Sequence, residues 1–341
     1  MSRKAVESGL IGNRRAAAFL DRTLERGTVA HGLLFLGPAG VGKRTALGFF
    51  LAALLDLPER AEASRRSGDA PSLESFHTYP DFSLIARERD EKTEKLHKNI
   101  SIEQVRELRQ RLQMGSFLSS WKVAVVDGAE YLSPGAANAL LKTLEEPTPK
   151  TLIVLVADAR AGIPDTVLSR LQVIRFGLVP REDIRQALLD RDIARPDADA
   201  LAGRAAGRPG IALTLAVDTE QRDEDDTRYA QAVAALDAPL HERLAAFQKA
   251  LPERAGAVDQ AQAAKSVLAA LGTALADALN LSLGEPGRVR LPDFSGAIGR
   301  YAARRGSGAI AALLEDADRA AADLDANINP KLVLDHIAFM L

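Results

Sequence analysis

The sequence has no cysteine in its 341 residues, which excludes disulfides and thiolate zinc sites. It has no surplus of either charge. Against 44 Lys and Arg stand 46 Asp and Glu, a net charge of −2, so strong nucleic-acid binding through an autonomous basic surface is not expected. Long apolar runs are missing as well: the longest, residues 46–55, falls well short of the roughly 20 residues that span a bilayer. Residues 1–15 mix both charge signs without an apolar stretch, so no secretory signal is read there. The expectation is a cytoplasmic chain with no membrane partner. No internal repeat is found. What is present is 47% hydrophobic and 26% charged residues, enough to bury ample core over a length that usually makes two or three domains.

Two segments carry chemistry. Leu33 to Leu36 read as a short apolar strand, Gly37-Pro-Ala-Gly40-Val-Gly42-Lys43 as a glycine-rich turn, and Thr45 to Leu55 as an apolar helix. Strand, GxxxxGK and helix in that order make a P-loop, whose backbone N–H groups and helix N-terminus favour bound phosphate. The phosphate-binding candidates are therefore Gly37, Gly40, Gly42, Lys43 and Thr45. The complete motif places Ser or Thr directly after the lysine to ligate Mg²⁺, and this chain has Arg44. Thr45 carries a hydroxyl, but one residue further along a helix is turned by about 100°. Phosphate can bind such a turn, whereas Mg²⁺ is expected to be held poorly. The simpler alternative is a tight turn with no ligand.

The second segment is KVAVVDGAEYLSPGAANALLKTLEEP, residues 122–147. Its β-branched strand delivers Asp127 at the carboxyl end, where open α/β sheets place their ligands, as a Walker B strand does. Gly128 follows directly. Ser133-Pro134 reads as a helix start with Ser as N-cap, and Ala137, Leu140, Leu141 and Leu144 form the apolar stripe of a helix ended by Pro147.

Around these lie further expected elements. Residues 8–26 read as an amphipathic helix. Residues 56–98 lose the pattern: ERAEASRRSGDAPS is polar and ARERDEKTEKLHK densely charged, so the stretch reads as a solvated insertion with one short strand at Phe82 to Ile85. Ser101 and Gln104 make a capping box for a helix with Ile102, Val105, Leu108 and Leu112 on one face. Thr151 to Ala157 is a buried strand, and Val167 to Leu171 and Val173 to Phe176 add a short helix and a last strand. Alternating strands and helices predict a doubly wound parallel α/β sheet. From Val179 on the β signal stops. Residues 180–215 read as short helices ending at Gly207-Arg208-Pro209-Gly210, residues 218–228 as a charged junction, and the rest as Ala- and Leu-rich helix.

These segments in this order resemble the AAA+ clamp-loader family. The resemblance rests on Ala136 to Pro147 (AANALLKTLEEP), on Leu168-Ser169-Arg170, on Gly207 to Gly210 with Ala212 and Leu213, and on the tail Asn327-Ile-Asn-Pro-Lys-Leu-Val-Leu. It implies an AAA+ P-loop core (residues 1–178), a helical lid (179–217) and an all-α collar domain for oligomerisation (218–341). It implies a subunit of the bacterial replicative clamp loader, within the DNA polymerase III holoenzyme. Its partners would be motor (gamma/tau) and delta subunits, with the sliding clamp and primer-template DNA reached through the complex.

Three departures from an active motor, Arg44, Gly128 for the catalytic glutamate and Gly210 for the sensor 2 arginine, imply an ATPase silent on its own. Whether ATP or ADP occupies the turn stays open; no cofactor is required. The family's four-cysteine zinc module would fall in residues 56–98, and without cysteine no zinc is expected. Arg170 would act as an arginine finger in a neighbour's ATP site; apart from the resemblance it reads as a solvated arginine at a helix end. Asn138 and Lys142 would approach DNA. The rivals are an active gamma/tau-like motor, separated by solo ATPase, and a non-replicative nucleotide-binding adaptor, separated by its partners.

Overall fold

The computed structural model describes residues 6, 7, 9–57, 71–90, 95–114, 121–252, 256–326 and 328–341. Most of the polar run at 59–72, part of the charged run at 86–98 and Asn327 of the tail lie outside the described residues.

Five parallel strands, β1 (Gly32–Leu36), β2 (Phe82–Ile85), β3 (Lys122–Asp127), β4 (Thr151–Ala157) and β5 (Gln172–Arg175), pair in the order β2-β3-β4-β1-β5. Both faces of the sheet are covered, which is why its central strands read as unbroken apolar runs. Leu33 and Phe35 of β1, Val123 and Val125 of β3, and Leu152, Val154 and Val156 of β4 share one buried layer with helices α1 (Arg14–Arg26) and α2 (Lys43–Leu54). The alternate residues Leu34, Ala124, Val126, Ile153 and Leu155 face α3 (Ile102–Gln113), α4 (Pro134–Glu145) and α5 (Asp165–Leu168). The helix after β1 thus covers one face and the helix after its neighbour β4 the other. That makes the crevice at the carboxyl ends of β1 and β4 the switch point where such sheets bind ligands.

Two helices of the sheet unit start at local side-chain caps. The Ser101 hydroxyl accepts from Gln104 N while the Gln104 side chain accepts from Ser101 N, a complete capping box on α3. Ser133 caps α4 by accepting from Ala136 N. Three expectations need correction. The first helix begins at Arg14 rather than residue 8, because Gly12 and Asn13 take φ of 68° and 48°, values a right-handed helix does not admit. Residues 219–228 are helix and not junction: Asp218 accepts from Gln221 N and opens α9 (Thr219–Asp237), whose charges pair both within the helix, Arg228 with Asp225, and with the helix Arg195–Arg204, Arg222 with Asp197 and Asp226 with Arg204. Gly207 to Gly210 starts a helix instead of ending one, since Pro209 is the first residue of α8 (Pro209–Val217). Between α5 and α8 lie α6 (Arg181–Leu189) and α7 (Arg195–Arg204).

The chain divides into two compact units. The sheet unit comprises residues 1–89, 97–193 and 207–211; the second comprises 90–96, 194–206 and 212–341, so the segment 179–217 is shared between them. The second unit is helical. It contains α9, α10 (Leu240–Lys249), the 26-residue α11 (Ala257–Ser282), α12 (Ser295–Arg305), α13 (Ser307–Asp325) and α14 (Pro330–Met340). Its own core gathers Leu268, Leu271 and Leu275 of α11 with Leu236, Ile298, Ile310 and Leu334. Among the described residues no helix is long and apolar enough to cross a membrane.

Candidate functional site

The turn Gly37 to Lys43 closes over the end of β1 because three glycines allow it. Gly40 and Gly42 take φ of 77° and 99°. A Cβ on Gly37 would lie 2.1 Å from the carbonyl oxygen of Phe176. Lys43, 5% exposed, points back into the turn. Its ammonium donates to Gly37 O at 2.5 Å and Pro38 O at 2.8 Å, and it pairs with the Asp158 carboxylate at 2.6 Å. Asp158 follows the last residue of β4, so β1 and β4 as sheet neighbours bring the lysine and the carboxylate together across the switch point.

Asp127 ends β3, in register with Val156. Burial pushes its pKa up, and the Arg44 guanidinium pulls against that shift. Arg44 contributes one nitrogen to Asp127 at 3.0 Å and another to Glu74, in the 3₁₀ turn Glu74–Thr78. Burial also opposes ionisation of Glu74, but a backbone hydrogen bond and Arg44 hold its pKa below the ordinary value. Beyond Gly128, at φ 82°, Glu130 accepts from Asp158 N at 3.0 Å. Burial raises its pKa, and its second carboxylate oxygen is buried without a hydrogen-bond partner. Two cations therefore face four carboxylates, and each cation is already paired.

That arrangement bears directly on cofactor fit. The glycine turn and the N-terminus of α2 retain the shape that cradles phosphate, though Lys43 would have to leave Asp158 to reach one. A Mg²⁺ ion does not fit beside Asp127 as the side chains stand, because a permanently charged guanidinium already bridges Asp127 and Glu74. The Thr45 hydroxyl makes none of the hydrogen bonds described at this site. Gly210 donates its N–H to Gly40 O at 2.8 Å, and a Cβ there would sit 3.1 Å from that oxygen, so the glycine permits α8 to start against the turn.

Arg170 is held elsewhere. It follows α5, is about one-third exposed, and donates to Glu145 at 2.7 Å, to Thr166 O at 2.8 Å and to Ser169 Oγ at 3.2 Å. It lines an open depression with His31, Gly32, Leu144 and Gln172. Because Leu33 pairs with Gln172, Arg170 lies level with the amino end of β1, while the P-loop lies at the carboxyl end. Five residues at roughly 3.3 Å each separate the two by about 16 Å. Arg170 is thus outside its own P-loop site. Asn138 and Lys142 are both exposed, one turn apart on α4.

Sequence reasoning brought Lys43, the three glycines and Asp127 to one crevice and missed Asp158, Glu74 and Glu130. Asp158 had a usable signal, as a carboxylate immediately after a buried strand; Glu74 lay in a segment read as a solvated insertion and had none.

Residues 12–179 match the family described as DNA polymerase III, delta subunit. The chain is similar to the DNA polymerase III subunit delta′ of Haemophilus influenzae, 32% identical over 198 residues that cover 57% of each protein. It is similar to subunit delta′ of Bacillus subtilis, 26% identical over 231 residues covering 67% of this chain and 65% of that one. It also resembles subunit tau of Bacillus subtilis, 27% identical over 175 residues covering 51% and 30%. The matched stretch spans between 30% and 65% of the length of these relatives.

Proposed function

Through residues 12–179 this chain belongs to the delta′ family of DNA polymerase III subunits, and from that premise we propose that it serves the replicative clamp loader as a catalytically silent AAA+ subunit. It assembles with motor and delta subunits and completes a neighbour's ATP site with Arg170, so that the sliding clamp is loaded on primed DNA. The observation that carries this reading is the placement of Arg170 at the opposite end of the sheet from its own P-loop. A guanidinium there cannot reach the phosphates of its own P-loop, and its planar, permanently charged fork suits a developing phosphoryl charge in a neighbour's site. Glu145 and Thr166 O hold it at the surface, where an exposed pair contributes about 0–1 kcal/mol.

Silence follows from the same inventory. Phosphoryl transfer depends on a metal and on oriented charges, and here Arg44 covers the Walker B carboxylate and Gly128 supplies no group to polarise water. The similarity to subunit tau supports a motor as the second reading, and ATP turnover by the isolated chain separates the two. Turnover lost on Lys43→Ala would establish the motor.

The test of the preferred reading is DNA- and clamp-stimulated ATP turnover of a reconstituted loader carrying this chain as wild type or Arg170→Ala. A finger in trans is worth about 10³ to 10⁵ in rate, or roughly 4 to 7 kcal/mol of barrier. A fall of that order with the complex still assembled is the expected result, and unchanged turnover removes the finger. In the same complex, Lys142→Ala is expected to weaken DNA binding and to lower the salt dependence by about one counterion, as the loss of one phosphate contact does.

A further inference from the structure

Arg44 does more than occupy the position where a P-loop carries its metal-binding hydroxyl. Its two terminal nitrogens reach Asp127 at the end of β3 and Glu74 on the 3₁₀ turn, so a single cation joins two carboxylates from separate elements. That is the bridging task a divalent ion performs between a Walker B carboxylate and its surroundings. The guanidinium stays charged at every accessible pH and cannot be titrated away. A Mg²⁺ ion, which binds through carboxylate oxygens in a strict octahedron, would have to displace it and would be repelled by it. Of the remaining carboxylates, Asp158 is paired with Lys43, and Glu130 accepts the Asp158 backbone N–H with one oxygen while its other oxygen is buried without a partner.

We infer that the Arg44 guanidinium is a built-in replacement for the divalent cation, closing Asp127 to metal, so that the nucleotide cradle of this chain is insensitive to Mg²⁺. The inference rests on the reading of residues 37–43 as a P-loop. It concerns this chain alone, so it can fail while Arg170 still acts in trans, and the reverse.

The experiment uses the isolated full chain and a fluorescent ATP analogue, titrated in excess Mg²⁺ and in EDTA, on wild type, Arg44→Thr and Arg44→Ser. Mn²⁺ alone, followed by electron paramagnetic resonance, serves as the second probe. Wild type is expected to bind the analogue with the same affinity within about twofold with and without Mg²⁺ and to bind no Mn²⁺, and no analogue binding in either condition overturns the inference. Either variant that stays folded is expected to gain at least about tenfold in analogue affinity on adding Mg²⁺, and to bind Mn²⁺. Metal that tightens binding to wild type by a similar factor overturns the inference. So do variants whose binding ignores metal, since Arg44 would then not be what keeps the ion out.

Discussion

Gly37 is where the turn between β1 and α2 tolerates least change. A methyl group there would meet the Phe176 carbonyl oxygen, a backbone atom that cannot swing aside, whereas Gly177 next to it has nothing within 4 Å of an added Cβ. Gly37→Ala is expected to cost about 3 kcal/mol, the upper end of ordinary overpacking, and Gly177→Ala to stay within about 0.5 kcal/mol, both by urea unfolding. Comparable losses in the two variants would place the strain in chain flexibility instead of the contact. Arg44 offers a second test, through pH. Burial raises the pKa of Asp127 and Arg44 opposes the rise. An acid whose folded pKa lies above its unfolded value binds more protons in the native state between the two values, so stability falls as pH rises through that window. Arg44→Thr removes the main opposing pull and extends the window upward. Its melting temperature in EDTA should therefore fall further behind wild type as pH rises through and beyond the carboxylate range. A deficit that does not change with pH would uncouple the two residues.

Helix α4 begins at a serine cap and a proline and ends at Glu145, the carboxylate that pairs with Arg170. Ser133→Ala removes the acceptor for Ala136 N and should cost about 1 kcal/mol, seen as a shifted urea midpoint with unchanged slope. Such caps were legible in the sequence because they depend on residues within four positions of each other. The strands were legible for a related reason: burial on both faces writes β1, β3 and β4 as continuous apolar runs. Strand β2 was less plain, since only Phe82 and Ser83 are buried and charged sequence follows it. Helix α9 was misread because its first turns are covered with charge, and ion pairs to Asp197 and Arg204 of α7, distant in sequence, join one local pair where an apolar stripe would otherwise be expected. Within the site, the P-loop and Asp127 are contiguous motifs and could be read directly. The partners of Lys43 and Arg44 could not, because strand order brings Asp158 to Lys43 and a turn 30 residues away brings Glu74 to Arg44.

Each of the two units has its own buried core, and Asp277 shows how the helical one is tied internally. This carboxylate on α11 is fully buried and accepts the backbone N–H of Arg290 at 2.9 Å and of Leu291 at 2.8 Å, fixing the loop that leads to α12. Asp277→Ala leaves those donors buried without their acceptor, at a cost of about 1–3 kcal/mol for each unsatisfied group. If the units open independently, amide exchange in the variant should accelerate through α11 and α12, while the amides of β1, β3 and β4 keep their protection. Acceleration of equal size in the strands would show that the chain unfolds as one cooperative body. The distinction matters for the proposed role. In that proposed role the helical unit would assemble with partners and the sheet unit would present Arg170, so the two lesions should separate in the reconstituted complex. Asp277→Ala would then weaken assembly, whereas Arg170→Ala would leave assembly intact and remove turnover.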